Sequence, residues 1–325
     1  MKKQSPDISI VIVCMNRWDN ISECLDSLHD TDNVSCEIIV VAYRFSTENL
    51  QRLRLTYPNV TIIESIETRG FSENNNLALR QAKGRYCFVI NDDTIIKPNC
   101  ISTLFDSFSK LSDNVAIVSP LILNTDGSVQ WCGRAKIGFK DYMLGLIGYR
   151  KESSRKSIHT NGNGLFKTYN ISGAAFLIRT DLFKEAGFFD EHYFFCPEDI
   201  ALSTKLNNTG YECFVNTNAQ IIHKGGITTS GKRSKMQLAT TPVEHKGAAY
   251  FLSNDNKSKR YFVSLAISIG CFLKATKYLI TSLRNGKDDR LFAKANFLAS
   301  KYMFSSKSAK EIFIECTERY IQPKI

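Results

Sequence analysis

Two pairs of adjacent carboxylates could do chemistry. Asn91-Asp92-Asp93-Thr94 follows the apolar run Tyr86–Ile90. Neighbouring acids at the end of a buried strand are costly to keep ionised unless a cation neutralises them. Mg²⁺ or Mn²⁺ shared with a diphosphate would do so, because these ions take oxygen ligands and keep positions open for phosphate. The plain alternative is a solvated Asp-Asp turn ahead of Pro98. Glu198-Asp199 follows the aromatic stretch Phe188–Phe195 and opens a helical pattern. Acids in a first helical turn complement the macrodipole, so the plain reading is capping. The chemical reading is a general base that a helix N-terminus keeps ionised beside an acceptor.

Single residues add to these pairs. His223 precedes Gly225-Gly226 at the end of a short strand pattern. A lone His is more often structural than a ligand. Here the glycines would let backbone approach phosphate closely, and imidazole is an acceptable Mn²⁺ ligand. Arg69-Gly70-Phe71 before Asn74-Asn75-Asn76 could place a guanidinium on phosphate; capping and surface solvation are the alternative for the Asn run. No P-loop, nucleophile elbow, H-E-x-x-H or Rossmann glycine fingerprint is present.

The elements that must position these groups follow an alternating pattern. Ile8–Cys14 reads as a strand buried on both faces, Glu37–Ala42 as a second buried strand, and Val60–Ile63 and Tyr86–Ile90 as a third and a fourth strand. Helical spacing occupies Asp19–His29, Thr47–Leu55 and Ser72–Lys83, with Ser72 as N-cap. Such alternation predicts a doubly wound α/β sheet with its ligand at the carboxyl ends of the strands. Asn16-Arg17, Arg69–Asn76 and Asn91–Thr94 fall at those ends. Beyond them, Val115–Ser119 and Ala175–Ile178 read as strands, 124–169 as loop, Leu182–Ala186 and Pro197–Asn208 as helices, and Cys213–Val215 and Gln220–Ile222 as two short strands.

Taken in order, ISIVIVCMNR, RGFSENNNLAL, FVINDDT, ISGAAFLIR, GFFDEHYFFCPEDIAL and IIHKGG resemble the family 2 inverting glycosyltransferases of GT-A fold. The likeness is nearest to the rhamnosyltransferase-like branch that builds bacterial surface polysaccharides, and it covers about Ile8–Ser230. It implies an α/β GT-A domain, a Rossmann-like doubly wound mixed sheet, over residues 1–230, with a helical basic extension over 231–325. It also implies a dTDP- or UDP-sugar donor held by Mn²⁺ or Mg²⁺. By resemblance, Asp93 and His223 are the metal and diphosphate residues, and Asp92 lies toward the ribose. Asp199 is the base on the acceptor hydroxyl, with Glu198 beside it. Cys14, Asn16 and Arg17, and the stretch holding Arg69, Gly70, Asn75 and Asn76, match nucleotide-binding segments. Gly173-Ala174 matches the loop under the donor sugar. Two positions depart from the family pattern. Ala42 stands where an Asp usually contacts the nucleobase, and Ala201 replaces the second aspartate of E-D-x-D-L. These departures motivate the alternative of a catalytically silent membrane scaffold.

Charge and composition narrow the partners. Of 325 residues, 42 are basic and 32 acidic, a net +10. Residues 231–325 hold 18 basic and 7 acidic residues, so the excess sits in the last third. Nucleic acid is suggested only by this charge, with no recognition motif to support it. The ten scattered cysteines read as reduced thiols of a cytosolic protein. Lys257–Arg260 precede the apolar Tyr261–Leu273, which is too short to span a bilayer and suits an interfacial helix on anionic lipid. Packing on the catalytic domain is the alternative. The family resemblance adds a lipid-linked saccharide acceptor, and hence a cytoplasmic protein peripheral to the inner face of the membrane. No feature of the sequence fixes an oligomeric state.

Overall fold

A computed structural model describes residues 5–29, 34–130, 132–148, 164–225, 234–285 and 287–321. The first part alternates as expected: β1 (Ile8–Cys14), α1 (Trp18–Asp26), β2 (Cys36–Tyr43), α2 (Thr47–Thr56), β3 (Thr61–Ser65), α3 (Phe71–Leu79) and β4 (Tyr86–Asn91). These four strands are parallel, in the order β3-β2-β1-β4. Side chains of β1 alternate between two cores. Ile8, Ile10, Ile12 and Cys14 pack with Ile21, Cys24 and Leu25 of α1, while Val11 packs with Ala78 and Leu79 of α3 on the other face. Burial on both faces is why the strand reads as an almost unbroken apolar run.

The chain continues through β5 (Thr94–Ile96), α4 (Cys100–Ser107), β6 (Val115–Leu123), β7 (Gly133–Arg134), α5 (Phe139–Leu146), β8 (Leu165–Thr168), β9 (Asn170–Ile171), β10 (Ala175–Arg179), α6 (Thr180–Glu185), α7 (Glu198–Asn208) and β11 (Glu212–His223). Strand β10 pairs antiparallel with both β4 and β6, which makes the sheet mixed. It extends from β4 as β10-β6-β11-β5. The outer edge of β11 is shared, with β8 covering its first half and β5 its end.

Several sequence expectations need correction. The helix read from Ser72 starts at Phe71, with Gly70 in the cap position and Glu73 Oε2 accepting from the Gly70 N–H at 3.0 Å. The two strands read at 213–215 and 220–222 are the single strand β11. Its polar middle, Asn216 to Gln220, is where its register against β6 shifts, as at a β-bulge. The segment 124–169 contains short elements as well as loop, although 149–163 lie outside the described residues. The expected boundary at 230/231, and Gly226, also lie outside them.

The remaining helices are α8 (Gln237–Ser253), α9 (Lys257–Asn285), α10 (Lys287–Tyr302) and α11 (Ala309–Tyr320). They are not a loose appendage. Phe194 shares a core with Val243 of α8, Leu298 of α10 and Ile312 of α11. A Cβ on Gly247 of α8 would lie 2.4 Å from the Cys196 carbonyl oxygen, so that helix abuts the turn leading into α7. The apolar segment read as Tyr261–Leu273 belongs to a 29-residue helix. Lys257–Leu283 is long and apolar enough to cross a membrane, with a mean hydropathy of 1.5 over its most apolar stretch. The inner face of α9 is nevertheless packed: Val263, Ile267 and Cys271 are buried with Ala249 and Leu252 of α8 and Ala299 of α10.

Candidate active site

Strand pairing brings His223 to the acidic pair. Antiparallel β5 and β11 place His223 opposite Thr94, next to Asp93 in the chain. His223 Nε2 and Asp93 Oδ1 are 3.2 Å apart, and both side chains are buried. Asn91 Nδ2 also approaches His223 Nε2, at 3.3 Å. Gln130, in the segment expected as loop, fixes the imidazole. Its Nε2 donates to the His223 carbonyl at 2.6 Å, and its Oε1 lies 2.9 Å from Nδ1. A carbonyl can only accept, so the Gln130 amide orientation is set and Nδ1 must carry the proton. Nε2 lies 3.2 Å from the Asp93 carboxylate, so the two can share one bound cation. Carboxylate oxygen and imidazole nitrogen are both donor types that suit a divalent cation. Among the described residues no group of three His, Cys, Asp or Glu is placed to hold a metal. A cation held at this pair would need its other ligands from water or phosphate oxygens.

The neighbouring charges fit this arrangement. Burial, with the Asp93 charge next to it, raises Asp92 to about 6 even though Cys14, Arg17 and Asn20 favour its ionised form. Burial, with Asp92 beside it, pushes the Cys14 thiol far up, so Cys14 is a neutral partner at the end of β1. Lys224, next to His223, pairs with Glu23 and gives its main-chain N–H to the Asp93 carbonyl at 3.0 Å. Gly225 has a left-handed φ of +79°, which suits glycine.

Asp199 reaches the same neighbourhood through one loop. Its Oδ2 accepts from the Gly173 N–H at 2.9 Å and its Oδ1 from the Ile200 N–H at 2.7 Å. A side chain on Gly173 would crowd Asp199 Cβ at 3.3 Å. The next residue, Ala174, accepts from the Asn91 N–H at 3.0 Å. Gly173-Ala174 thus joins Asp199 to the strand end that carries Asp92 and Asp93. Glu198 differs from its neighbour. It is buried, its Oε2 has no hydrogen-bond partner, and burial followed by the Asp199 charge raises it to about 8. Glu244 of α8, raised to about 7 by burial, adds to that effect. Burial thus favours the neutral form of Glu198, whereas the Asp199 carboxylate accepts two main-chain N–H groups.

Other predicted residues have structural work in this conformation. Asn16 Oδ1 accepts from the Ser46 N–H and from Asn49 Nδ2, each at 2.9 Å, tying the first two strand ends together. Arg17 is exposed at the N-cap of α1. The Arg69 guanidinium pairs with Glu67 at 2.7 Å and donates to Ser65 at 3.1 Å. A Cβ on Gly70 would lie 2.2 Å from the Phe194 carbonyl oxygen, so this glycine permits a close backbone contact. Asn75 donates to the Phe71 carbonyl at 3.0 Å. Asn76 exchanges hydrogen bonds with the Phe189 main chain and donates to Glu191. The Asn run is buried rather than solvated. Ala42 is buried at the end of β2, with no polar group to offer a nucleobase. A groove of about 680 Å³ lies along α7, lined in part by Arg80, Phe188, Ala201, Lys205 and Tyr250. It includes none of Asp93, Asp199 or His223, so it is distinct from this cluster.

The pattern of Glycosyl transferase family 2 matches residues 9–187, more than half of the chain. This chain belongs to that family. The match in this glycosyltransferase ends before α7, so Asp199 and His223 are placed by geometry. The chain is 25% identical over 221 residues to the N-acetylglucosaminyl-diphospho-decaprenol L-rhamnosyltransferase of Mycobacterium tuberculosis, covering 61% of this chain and 68% of that protein. It is 24% identical over 217 residues to the poly-beta-1,6-N-acetyl-D-glucosamine synthase of Staphylococcus epidermidis, covering 65% of this chain and 48% of that one. The solved structure of GalNAc-T7 with UDP, GalNAc and Mn²⁺ superposes with a TM-score of 0.58 at 15% identity, covering 99% of this chain and 59% of that chain. The glycosyltransferase therefore has the GT-A architecture, extended by its C-terminal helices.

Proposed function

We propose that this glycosyltransferase moves a sugar from a dTDP- or UDP-linked donor to a hydroxyl of a lipid-linked saccharide in surface polysaccharide synthesis, with inversion at the anomeric carbon. The carrying observation is the Gly173-Ala174 bridge, which hydrogen-bonds to Asp199 on one side and to Asn91, beside the Asp93–His223 pair, on the other. A base and a cation half-site on either side of one loop suit proton removal from the acceptor coupled to departure of a diphosphate.

Asp199 has oxygen lone pairs beyond those engaged by Gly173 and Ile200, and one of them takes the acceptor proton. The acceptor oxygen bonds to the anomeric carbon as the bond from that carbon to the diphosphate oxygen breaks. A single in-line displacement inverts the centre. Asp93 and His223 would hold Mn²⁺ or Mg²⁺, with Gln130 orienting the imidazole and Asp92 toward the ribose. A bound divalent cation would neutralise charge gathering on the departing diphosphate. The name of the mycobacterial relative supports a rhamnose donor and a polyprenyl-diphosphate-linked acceptor, and a location at the cytoplasmic membrane face follows from such an acceptor. A silent scaffold is the less favoured reading, because Asp199 is held in a defined orientation by two main-chain N–H groups.

The direct test screens nucleotide sugars for hydrolysis and transfer, with and without Mn²⁺, in wild type and Asp199→Asn. The variant's turnover is expected to fall by roughly 10²–10⁴. Near-normal turnover would refute the base assignment.

A further inference from the structure

We infer that the outer face of α9 docks on an anionic lipid bilayer, lying in its interface rather than crossing it. The inference deepens the reading of a lipid-linked acceptor and rests on that reading for its place in the reaction. Phe262, Leu265, Ile269, Phe272, Ile280 and Leu283 are all exposed, from 40% at Leu265 to 80% at Leu283. Their spacing puts them on one helical face, and at about 1.5 Å per residue the stripe runs roughly 30 Å. An exposed apolar surface of that length marks an interaction site.

The opposite face decides between crossing and lying flat. Val263, Ile267 and Cys271 are buried against α8 and α10, and Gly270 faces Leu146 of α5 so closely that a Cβ would lie 2.7 Å from it. Helix α10 exposes Lys294 and Lys301. Crossing a bilayer would require α9 to leave these partners or to draw their charges into lipid, both costly. Lying flat leaves the packed face unchanged and buries only the stripe.

Charge selects the occupant. Lys259 and Lys277 are exposed and sit 18 residues, or five turns, apart on one border of the stripe, with Lys257 exposed at the helix start. The region from 231 carries 18 basic against 7 acidic residues. A second copy meeting this face through a two-fold axis would oppose cation to cation, whereas an anionic headgroup layer would neutralise them. Phe304, 5.7 Å from Tyr261 between ring centroids, extends the apolar end.

The test uses the full chain and flotation with phosphatidylcholine vesicles, with and without phosphatidylglycerol. Wild type is expected to float with the anionic vesicles and much less with the neutral ones. The triple variant Phe262→Ser, Ile269→Ser, Phe272→Ser should lose at least about tenfold in partitioning. Lys257→Gln, Lys259→Gln, Lys277→Gln should lose the preference for anionic lipid. Neither set touches Asp93, Asp199 or His223, so hydrolysis of a water-soluble donor should stay at the wild-type level and report that the variants are folded. In Phe272→Trp, fluorescence should be quenched by lipids brominated on the acyl chains. Failure of wild type to float, or equal flotation of the serine variant, would overturn the inference. So would resistance of the membrane-bound protein to alkaline carbonate extraction, which indicates a spanning helix, or a dimer that the serine variant dissociates with no vesicle binding by wild type. Wild type that binds vesicles but hydrolyses no donor would instead count against the catalytic reading alone.

Discussion

Gln130 gives the sharpest handle on the site, because it touches the imidazole and no reacting group. Gln130→Met keeps the length of the side chain and removes both hydrogen bonds, that to His223 Nδ1 at 2.9 Å and that to the His223 carbonyl at 2.6 Å. Each is worth about 0.5–1.5 kcal/mol, so about 1–3 kcal/mol of imidazole orientation is lost. At 1.4 kcal/mol per tenfold this weakens a metal bound at Nε2 by roughly 5- to 150-fold, which brackets the 10- to 100-fold usual for the outer partner of a metal-ligating His. Calorimetric titration of Mn²⁺ in the presence of UDP measures this directly. Turnover at saturating Mn²⁺ should recover most of the wild-type value, since only the population of the loaded site has changed. Nitrogen-15 NMR of the wild type should show the proton on Nδ1. Mn²⁺ affinity within about twofold of wild type in Gln130→Met, or an Nδ1 without a proton in the wild type, would refute the reasoning.

Three further outcomes follow from the same geometry. Asp93→Ala should abolish Mn²⁺-dependent binding of the donor nucleotide, and unchanged calorimetric binding would contradict its role. Glu198→Gln should gain stability over wild type as pH rises. The folded-state value of Glu198 is raised from 4.5 to about 8, so its contribution is fully present below about 4.5 and is lost as pH rises toward 8, whereas glutamine does not titrate. Denaturant unfolding of both proteins at pH 5.5 and 8.5 reads this difference, and a pH-independent gap would exclude it. Gly70→Ala should destabilise by about 1–3 kcal/mol, because its Cβ meets main-chain atoms of Phe194 at 2.2 to 2.8 Å and the 3.0 Å bond from the Phe71 N–H to the Phe194 carbonyl must stretch. An unchanged melting temperature would show that the two segments part freely.

Local pattern carried far in this chain where local physics decides the outcome. β1, β2 and β4 are mostly apolar because both their faces are largely covered, and α7 begins at Glu198 within one residue of the expected start. Contacts set by distant pairing were less legible. Asp93 and His223 meet only because β5 and β11 pair across more than a hundred residues, and Gln130 enters from a segment with no periodic signal. The Asn run is buried where solvation was the alternative: Asn74 and Asn75 donate to carbonyls one turn back, at Gly70 and Phe71, and Asn76 donates to the Phe189 carbonyl of another segment. Lys274 cut the apparent length of α9. That lysine is on the packed side of the helix, 5.1 Å from the centre of the Phe292 ring, where its aliphatic stem tolerates burial.

The seat of Gly247 against the Cys196 carbonyl bears on how this chain can be cut or recombined. The turn that α8 supports leads into Glu198 and Asp199 of α7, so the helical region packs as a wall behind that turn and not as a detachable address tag. A fragment ending near residue 230 would lose that wall, and would be expected to lose turnover even on a water-soluble acceptor. Grafting these helices onto another sheet would carry the lipid-facing stripe along but leave the catalytic turn behind. Exchange between relatives should therefore succeed only when the turn at 194–198 and the α8 surface travel together.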